Sequence, residues 1–145
     1  MTNTSKFFSV VSESEWGINS AIAANNAEGS LPELKLAIPP EFAGPGGAYS
    51  PEDLYALALL NCYIATFKFV AEKSKLKFHS IRGEATLEVG DTEGQKNWMK
   101  EVVLKIYLTG CEQPERALTL MTKTKDHCMI HQSVKSNIRI ELFAE

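Results

Sequence analysis

A long apolar segment in the middle of the chain constrains the fold more than any other feature. Residues 54–71 are mostly apolar, and the sequence just before them reads as a helix start. Ser50 can cap the helix, Pro51 suits its first position, and Asp53 completes a Ser-x-x-Asp capping box. The sequence therefore predicts a helix from Pro51 to about Ser74 that is apolar on most of its faces.

Such a segment raises the question of a membrane span. At about 1.5 Å per residue it reaches only about 27 Å, and charged residues close it at both ends. We expect no membrane span and a helix buried within the fold, because a helix that is apolar all round must be covered all round. A chain of 145 residues offers little to cover it. We therefore expect a symmetric homodimer that wraps two such helices in two sheets.

The sequence before the helix predicts weak β structure. Residues 7–11 and 31–38 carry short apolar or alternating runs, and the Ala- and Asn-rich sequence between them is a strand or a loop. Residues 39–49 are rich in Gly and Pro, which predicts a rigid loop containing neither helix nor central strand.

The sequence after the helix predicts a β-hairpin, a second helix and a closing strand. Strands are expected over residues 78–89 and 99–109, joined by a turn at 90–97. The second helix runs from Gln113 to near His127, and the closing strand covers 138–142. This order predicts one α+β domain over residues 1–145.

Charge and composition narrow the function and the compartment. The net charge is −3 with no block of like charges, which argues against nucleic-acid binding. Three cysteines are too few, and an odd number, for a disulfide scaffold. The N-terminal residues lack the pattern of a secretory signal, so we expect a cytoplasmic protein, in which a disulfide would be catalytic.

Two of the cysteines are candidates for a redox pair. Cys62 lies within the long helix, and Cys128 follows the second helix 66 residues later. Cys111 has no such context and is interpreted as incidental. His127 and His131 flank Cys128, but a structural zinc site needs four ligands, so we expect no metal. Capping of the second helix accounts for these histidines.

The segment Gly44-Pro-Gly-Gly-Ala-Tyr-Ser-Pro-Glu, followed ten residues after Glu52 by Cys62, resembles the OsmC/Ohr family of organic hydroperoxide reductases and osmotically induced proteins. Cys128, followed at short range by Asn137-Ile-Arg-Ile-Glu-Leu, also matches in position. The resemblance covers roughly residue 31 to the C-terminus.

The resemblance implies a fold and a reaction. The fold is an antiparallel sheet wrapped around a long buried central helix, in an intertwined homodimer with its active site near the interface. Cys62 is the peroxidatic thiol that attacks an organic hydroperoxide, Cys128 is the resolving thiol that forms the disulfide, and Glu52 has a supporting polar role. A dithiol such as a lipoyl group reduces the disulfide, and no cofactor or metal is needed.

The sequence departs from the family pattern at the group that activates the thiolate. Family members pair the carboxylate with an N-terminal arginine, but the first arginine here is Arg82, and an alanine stands near position 21. Met129 replaces a proline that usually follows the resolving cysteine. Glu52 lies about 15 Å from Cys62 along a straight helix, so in a shared site it comes from the partner chain. The sequence leaves open which cation, if any, takes the arginine's place: Lys35, Lys68, Arg82, His127 or His131.

Two functions of different classes remain open, and a different thiol chemistry on the same scaffold, with peroxide as a minor substrate, is a weaker third. The first is a thiol-dependent peroxidase for organic or lipid hydroperoxides. The alternative is a non-enzymatic dimer that binds a small ligand or senses redox state, a reading favoured by the missing arginine. The thiolate fraction at Cys62 separates the two, because the thiolate is the nucleophile and burial in apolar surroundings disfavours it.

Overall fold

The computed structural model describes residues 4–145, which fall into two compact units. The first unit runs to Leu54, and the second spans Tyr55–Glu145. The predicted α+β class is confirmed, whereas the prediction of a single domain stays a prediction.

The first unit contains a three-stranded antiparallel sheet. Its strands are β1 (Val10–Ser14), β2 (Ile22–Asn26) and β3 (Leu34–Leu36), in the order β1-β2-β3. The Ala- and Asn-rich sequence is thus the central strand, and the first strand begins three residues later than predicted. The Asn26 side chain closes the β2–β3 turn, because its Oδ1 accepts the backbone N–H groups of Ser30 and Leu31.

The Gly/Pro-rich loop is rigid, but it is not free of helix. Pro40–Phe42 form a short 3-10 turn, which the sequence prediction excluded. The turn forms because Pro40 fits the first helical position and Phe42 N–H reaches the carbonyl of Pro39 at 2.9 Å. The loop then folds back so closely that a Cβ at Gly44 would lie 2.0 Å from the Ile38 carbonyl oxygen. Only glycine is compatible with this approach.

Helix α1 spans Pro51–Lys73, close to its predicted bounds. Its capping box is formed on both sides. Ser50 N–H donates to Asp53 Oδ2 at 2.8 Å, and Asp53 N–H donates to Ser50 Oγ at 3.0 Å. The helix ends where Lys75 adopts a left-handed conformation (φ 56°) and Leu76 N–H bonds back to the Ala71 carbonyl.

The single chain covers only one side of α1, so its burial on all sides within a homodimer stays a prediction. One face is in the core, through Leu59, Leu60, Tyr63, Phe67 and Ala71. The opposite face leaves an exposed stripe of four residues at helical spacing: Leu57, Asn61, Ala65 and Phe69. The helix is long and apolar enough to cross a membrane by length and composition alone, a test that core helices of soluble proteins also pass.

The second unit packs its part of α1 against a second three-stranded sheet. Its strands are β4 (Ser80–Thr92), β5 (Gln95–Thr109) and β6 (Asn137–Ala144), in the order β4-β5-β6. The alternating residues of β5 point into the core as predicted, with 0–1% exposure: Val102, Leu104, Ile106 and Leu108. The hairpin is longer than expected, because both strands extend into the predicted turn and leave only Glu93-Gly94 between them.

This sheet is mixed, which corrects the prediction of an antiparallel one. β4 and β5 are antiparallel, but β6 runs parallel to β5, with Val102 opposite Ile138. The connection between β5 and β6 explains this direction. Helix α2 (Pro114–Thr124), a 3-10 turn (Lys125–His127) and the short helix α3 (Met129–Gln132) carry the chain back to the start of β5. The sequence did not predict α3.

Candidate functional site

Cys128 lies in the core at the junction between the 3-10 turn and α3. Its side chain is 0% exposed, and its backbone is extended (φ −84°, ψ 105°), which separates the two short helical segments. The thiol donates a hydrogen bond to the Thr124 carbonyl oxygen at 3.4 Å. This carbonyl lies at the C-terminal end of α2, where the helix dipole is negative and favours the neutral thiol over a thiolate.

The surroundings of Cys128 keep its thiol protonated at neutral pH. Burial is the largest effect, and it raises the pKa of Cys128 from 9.0 to about 11. The Thr66 side chain opposes this shift by hydrogen bonding to the thiolate, and the charge and hydrogen bond of Cys62 add to it. The side chains of Cys62 and Thr66 on α1 therefore lie beside the sulfur of Cys128.

Cys62 occupies a different environment on α1. It is partly exposed, and it follows the buried Leu59 by one helical turn. Thr66 lies one turn further on, and its Oγ1 donates to the Cys62 carbonyl at 2.7 Å. The two sulfurs are not bonded to each other. The structure therefore brings together two free thiols, of which only Cys62 is open to a molecule from solvent.

Tyr63 joins the helix of Cys62 to the segment that ends at Cys128. The tyrosine is fully buried, and its hydroxyl donates to the Met121 carbonyl at 2.7 Å. Burial, followed by the negative charge of a Cys128 thiolate, raises the pKa of Tyr63 well above its ordinary value. The tyrosine thus stays neutral and acts as a donor that ties α1 to α2.

Glu52 is not brought to the cysteines by any contact that the structure describes. It lies in the first turn of α1, within the first unit, and its Oε2 is buried without a hydrogen-bond partner among the described residues. An acidic residue here also stabilises the start of the helix through its dipole. Its role in the site stays a prediction.

The cations that the sequence offers in place of the arginine differ in their surroundings. Arg82 forms an ion pair with Glu84 at 2.8 Å and covers the Tyr107 ring. Lys35, Lys68 and His127 are exposed. Only His131 is buried. Within residues 4–145, no three His, Cys, Asp or Glu side chains form a group that could hold a metal ion, and the absence of a metal stays a prediction.

His131 was misinterpreted as a cap of the second helix. It belongs to α3, and its Nε2 bonds across the core to the Leu59 carbonyl at 2.8 Å. The available signal was its position three residues after Cys128, in the short helix that Cys128 precedes. Cys111, interpreted as incidental, is buried next to the C-terminal residue, where its N–H donates to the Glu145 carbonyl at 3.1 Å.

Fold and site together define an α+β protein with two facing thiols on a long central helix and on the turn after α2. Comparisons with known proteins identify its family. The sequence model of OsmC-like proteins matches residues 44–143. An organic hydroperoxide resistance protein of Xanthomonas axonopodis pv. citri is 31% identical over 113 residues, 76% of this chain and 77% of that protein. An uncharacterized protein of Bacillus subtilis is 30% identical over 116 residues, 75% of each chain.

The solved structures agree on the fold. An OsmC-like protein of unknown function from Vibrio cholerae superposes with a TM-score of 0.81 at 18% identity, covering 95% of this chain and 99% of its own. The chain therefore belongs to the OsmC-like family, as its sequence motifs predicted. Some of its relatives are named organic hydroperoxide resistance proteins.

Proposed function

We propose that this protein is a thiol-dependent peroxidase that reduces organic or lipid hydroperoxides. The observation that carries the proposal is the asymmetry of the cysteine pair. Cys62 is partly exposed, whereas Cys128 is fully buried beside it and held as a neutral thiol. This arrangement assigns different roles to the two sulfurs, with Cys62 meeting the peroxide and Cys128 meeting only Cys62.

The proposed reaction has two steps in the protein. The Cys62 thiolate attacks the O–O bond of the hydroperoxide, becomes a sulfenic acid and releases the alcohol after the departing alkoxide takes up a proton. Cys128 then attacks the sulfenic sulfur, which forms the Cys62–Cys128 disulfide and releases water. An external dithiol, such as a lipoyl group, reduces the disulfide and is itself oxidised. The cycle requires no metal or bound cofactor, and we place it in the cytoplasm.

The substrate class follows from the side chains around Cys62. Cys62 packs against the hydrophobic core cluster, which includes Leu59, Tyr63 and Phe67 of the same helix. A mostly apolar surround favours a peroxide with a hydrocarbon group over hydrogen peroxide. The name of the Xanthomonas relative, an organic hydroperoxide resistance protein, supports the same class.

We further propose a homodimer as the working form. The exposed stripe on α1 includes Leu57 at 38% and Phe69 at 64% exposure, and a second copy would remove both from water. The buried carboxylate oxygen of Glu52 has no partner among residues 4–145, and a second copy is also the proposed source of one.

The dimer is tested by placing a charge in the middle of the exposed stripe. Ala65→Glu should convert the dimer to a monomer in light scattering coupled to size exclusion, because a carboxylate would be buried unpaired in the interface. Thr122→Glu, on an exposed position of α2, adds the same charge and should leave the mass unchanged. A dimer that persists in Ala65→Glu would place the interface elsewhere.

The function is tested by adding one equivalent of cumene hydroperoxide to the reduced protein and following free thiols and mass. We expect the rapid loss of two thiols per chain and a peptide map with Cys62 bonded to Cys128 and Cys111 still free. No loss of thiols over minutes would contradict the peroxidase and favour the ligand-binding alternative.

A further inference from the structure

The buried hydrogen bond between His131 and Leu59 joins the two segments that carry the cysteines. Leu59 precedes Cys62 by three residues on α1, and His131 follows Cys128 by three residues. The His131 side chain is 8% exposed, and its Nε2 lies 2.8 Å from the Leu59 carbonyl oxygen. This contact therefore links the segment after Cys128 to the helix of Cys62, in addition to the bond that Tyr63 makes to the segment before it.

The hydrogen-bond partner determines which ring nitrogen carries the hydrogen. A carbonyl oxygen can only accept, so Nε2 must be the donor. The other nitrogen, Nδ1, is buried and has no partner among the described residues. The buried ring therefore makes its hydrogen bond through Nε2 alone. Burial of the unsatisfied Nδ1 lowers the stability that this bond provides.

The segment that follows Cys128 has few other ties to α1. Helix α3 has four residues, and its Met129 and Ile130 are exposed at 78% and 37%. The Ser133 hydroxyl bonds to the Met129 carbonyl four residues earlier, and the next side-chain bond to α1 comes at Ser136, whose Oγ lies 2.6 Å from the Tyr55 hydroxyl. Within residues 4–145, the bond from His131 is the one side-chain hydrogen bond that links α3 to the helix of Cys62.

We propose that His131 is a positioning residue for disulfide formation, which acts by holding Cys128 in line with Cys62 through the Nε2–Leu59 bond. The inference rests on the proposed function, in which Cys128 attacks an oxidised Cys62. A disulfide has narrow limits on its dihedral angle and Cα separation, so a small displacement of α3 would slow its formation. Attack on the peroxide by Cys62 does not require α3 to be in place.

The test compares two amides that differ by one methylene group. His131→Gln can place its side-chain nitrogen near the position of Nε2 and keep the bond to Leu59. His131→Asn has the same donor but is too short to reach. His131→Leu removes the donor and keeps a buried side chain. All variants carry Cys111→Ser, and their folds are compared by circular dichroism.

Disulfide closure is measured without any peroxide. 5,5′-Dithiobis(2-nitrobenzoate) forms a mixed disulfide at Cys62 and releases one thionitrobenzoate, and attack by Cys128 then forms the protein disulfide and releases a second. We expect His131→Asn and His131→Leu to slow the second release about tenfold and leave the first unchanged, and His131→Gln to restore it to within about threefold.

Three results would overturn the inference. The first is a second release of thionitrobenzoate at the wild-type rate in His131→Asn. The second is a Gln variant as slow as the Asn variant, and the third is an equal slowing of the first release. A failure of the peroxidase proposal is seen separately, because it would leave thionitrobenzoate release intact while cumene hydroperoxide consumed no thiols. In the peroxide reaction, His131→Asn should also accumulate a dimedone-trapped sulfenic acid at Cys62.

Discussion

Cys62 and Cys128 share one site but occupy opposite environments. Cys62 is partly open to solvent on the long helix α1, while Cys128 is fully buried and donates its hydrogen to a carbonyl at the end of α2. The difference supports the proposed division of roles between two identical side chains. In that proposal, exposure selects the thiol that meets the substrate, and burial leaves the second thiol to react only with the first.

The largest expected effect comes from removing the exposed thiol. Cys62→Ser should reduce turnover of cumene hydroperoxide to the uncatalysed rate, because the serine hydroxyl is a far weaker nucleophile than a thiolate at neutral pH. Cys111→Ser is the matched control and should keep full turnover in an assay recycled by dihydrolipoamide. Full activity in Cys62→Ser would remove the proposed division of roles altogether.

Removing the buried thiol should leave the first step and stop the second. Cys128→Ser should consume one equivalent of hydroperoxide per chain and then stall at the sulfenic acid, which mass spectrometry detects as a dimedone adduct. In this variant, sustained turnover at the wild-type rate with the dithiol would mean that Cys128 is not the resolving thiol.

The burial of Cys128 also predicts a dependence of stability on pH. Below pH 9 the thiol keeps its proton in the folded and the unfolded chain. Between pH 9 and about 11 the unfolded thiol ionises while the folded one does not, so the free energy of unfolding falls by about 3 kcal/mol in total. Urea unfolding at pH 8, 9.5 and 11 measures this loss. The same measurements on Cys128→Ala give the contributions of tyrosine and lysine, which are subtracted. An identical decline in both proteins would show that the fold does not hold the proton on Cys128.

The smallest expected effect concerns Thr66, which lies between the two thiols. Thr66→Val keeps the shape of the side chain but removes the hydroxyl that lowers the pKa of Cys128. The pKa of Cys128 should rise further, by about half a unit. Disulfide closure at pH 8 should therefore slow by about threefold, because the thiolate fraction falls by that factor. The rate of Cys62 oxidation should stay unchanged, and faster closure would contradict the assigned direction of the hydroxyl's effect.

Local signals in the sequence predicted the elements that rely on neighbours along the chain. The capping box of Ser50 and Asp53 placed the start of α1 correctly, and the alternation in β5 identified its buried face. The resemblance to the family then singled out Cys62 and Cys128, which the structure brings together. Their catalytic roles stay a proposal.

The features that the sequence did not reveal depend on contacts between distant residues. The parallel pairing of β6 with β5 follows from the path of α2 and α3, and a strand's own residues carry little information about its direction. The contact of His131 with Leu59 spans 72 residues and leaves no periodic pattern. The sequence indicated that one chain covers α1 incompletely, but it did not show which side of the apolar helix is left exposed.

The position of strand β6 at the end of the sheet has a consequence during synthesis of the chain. β5 becomes a central strand only when β6, Asn137–Ala144, has been synthesised, because β6 occupies its second edge. A chain that stops before Asn137 would present the long strand β5 with a free row of backbone N–H and C=O groups, flanked by exposed core residues. Such an edge pairs readily with other chains. The eight residues of β6 therefore complete the sheet and also cover the edge at which a shorter chain is expected to aggregate.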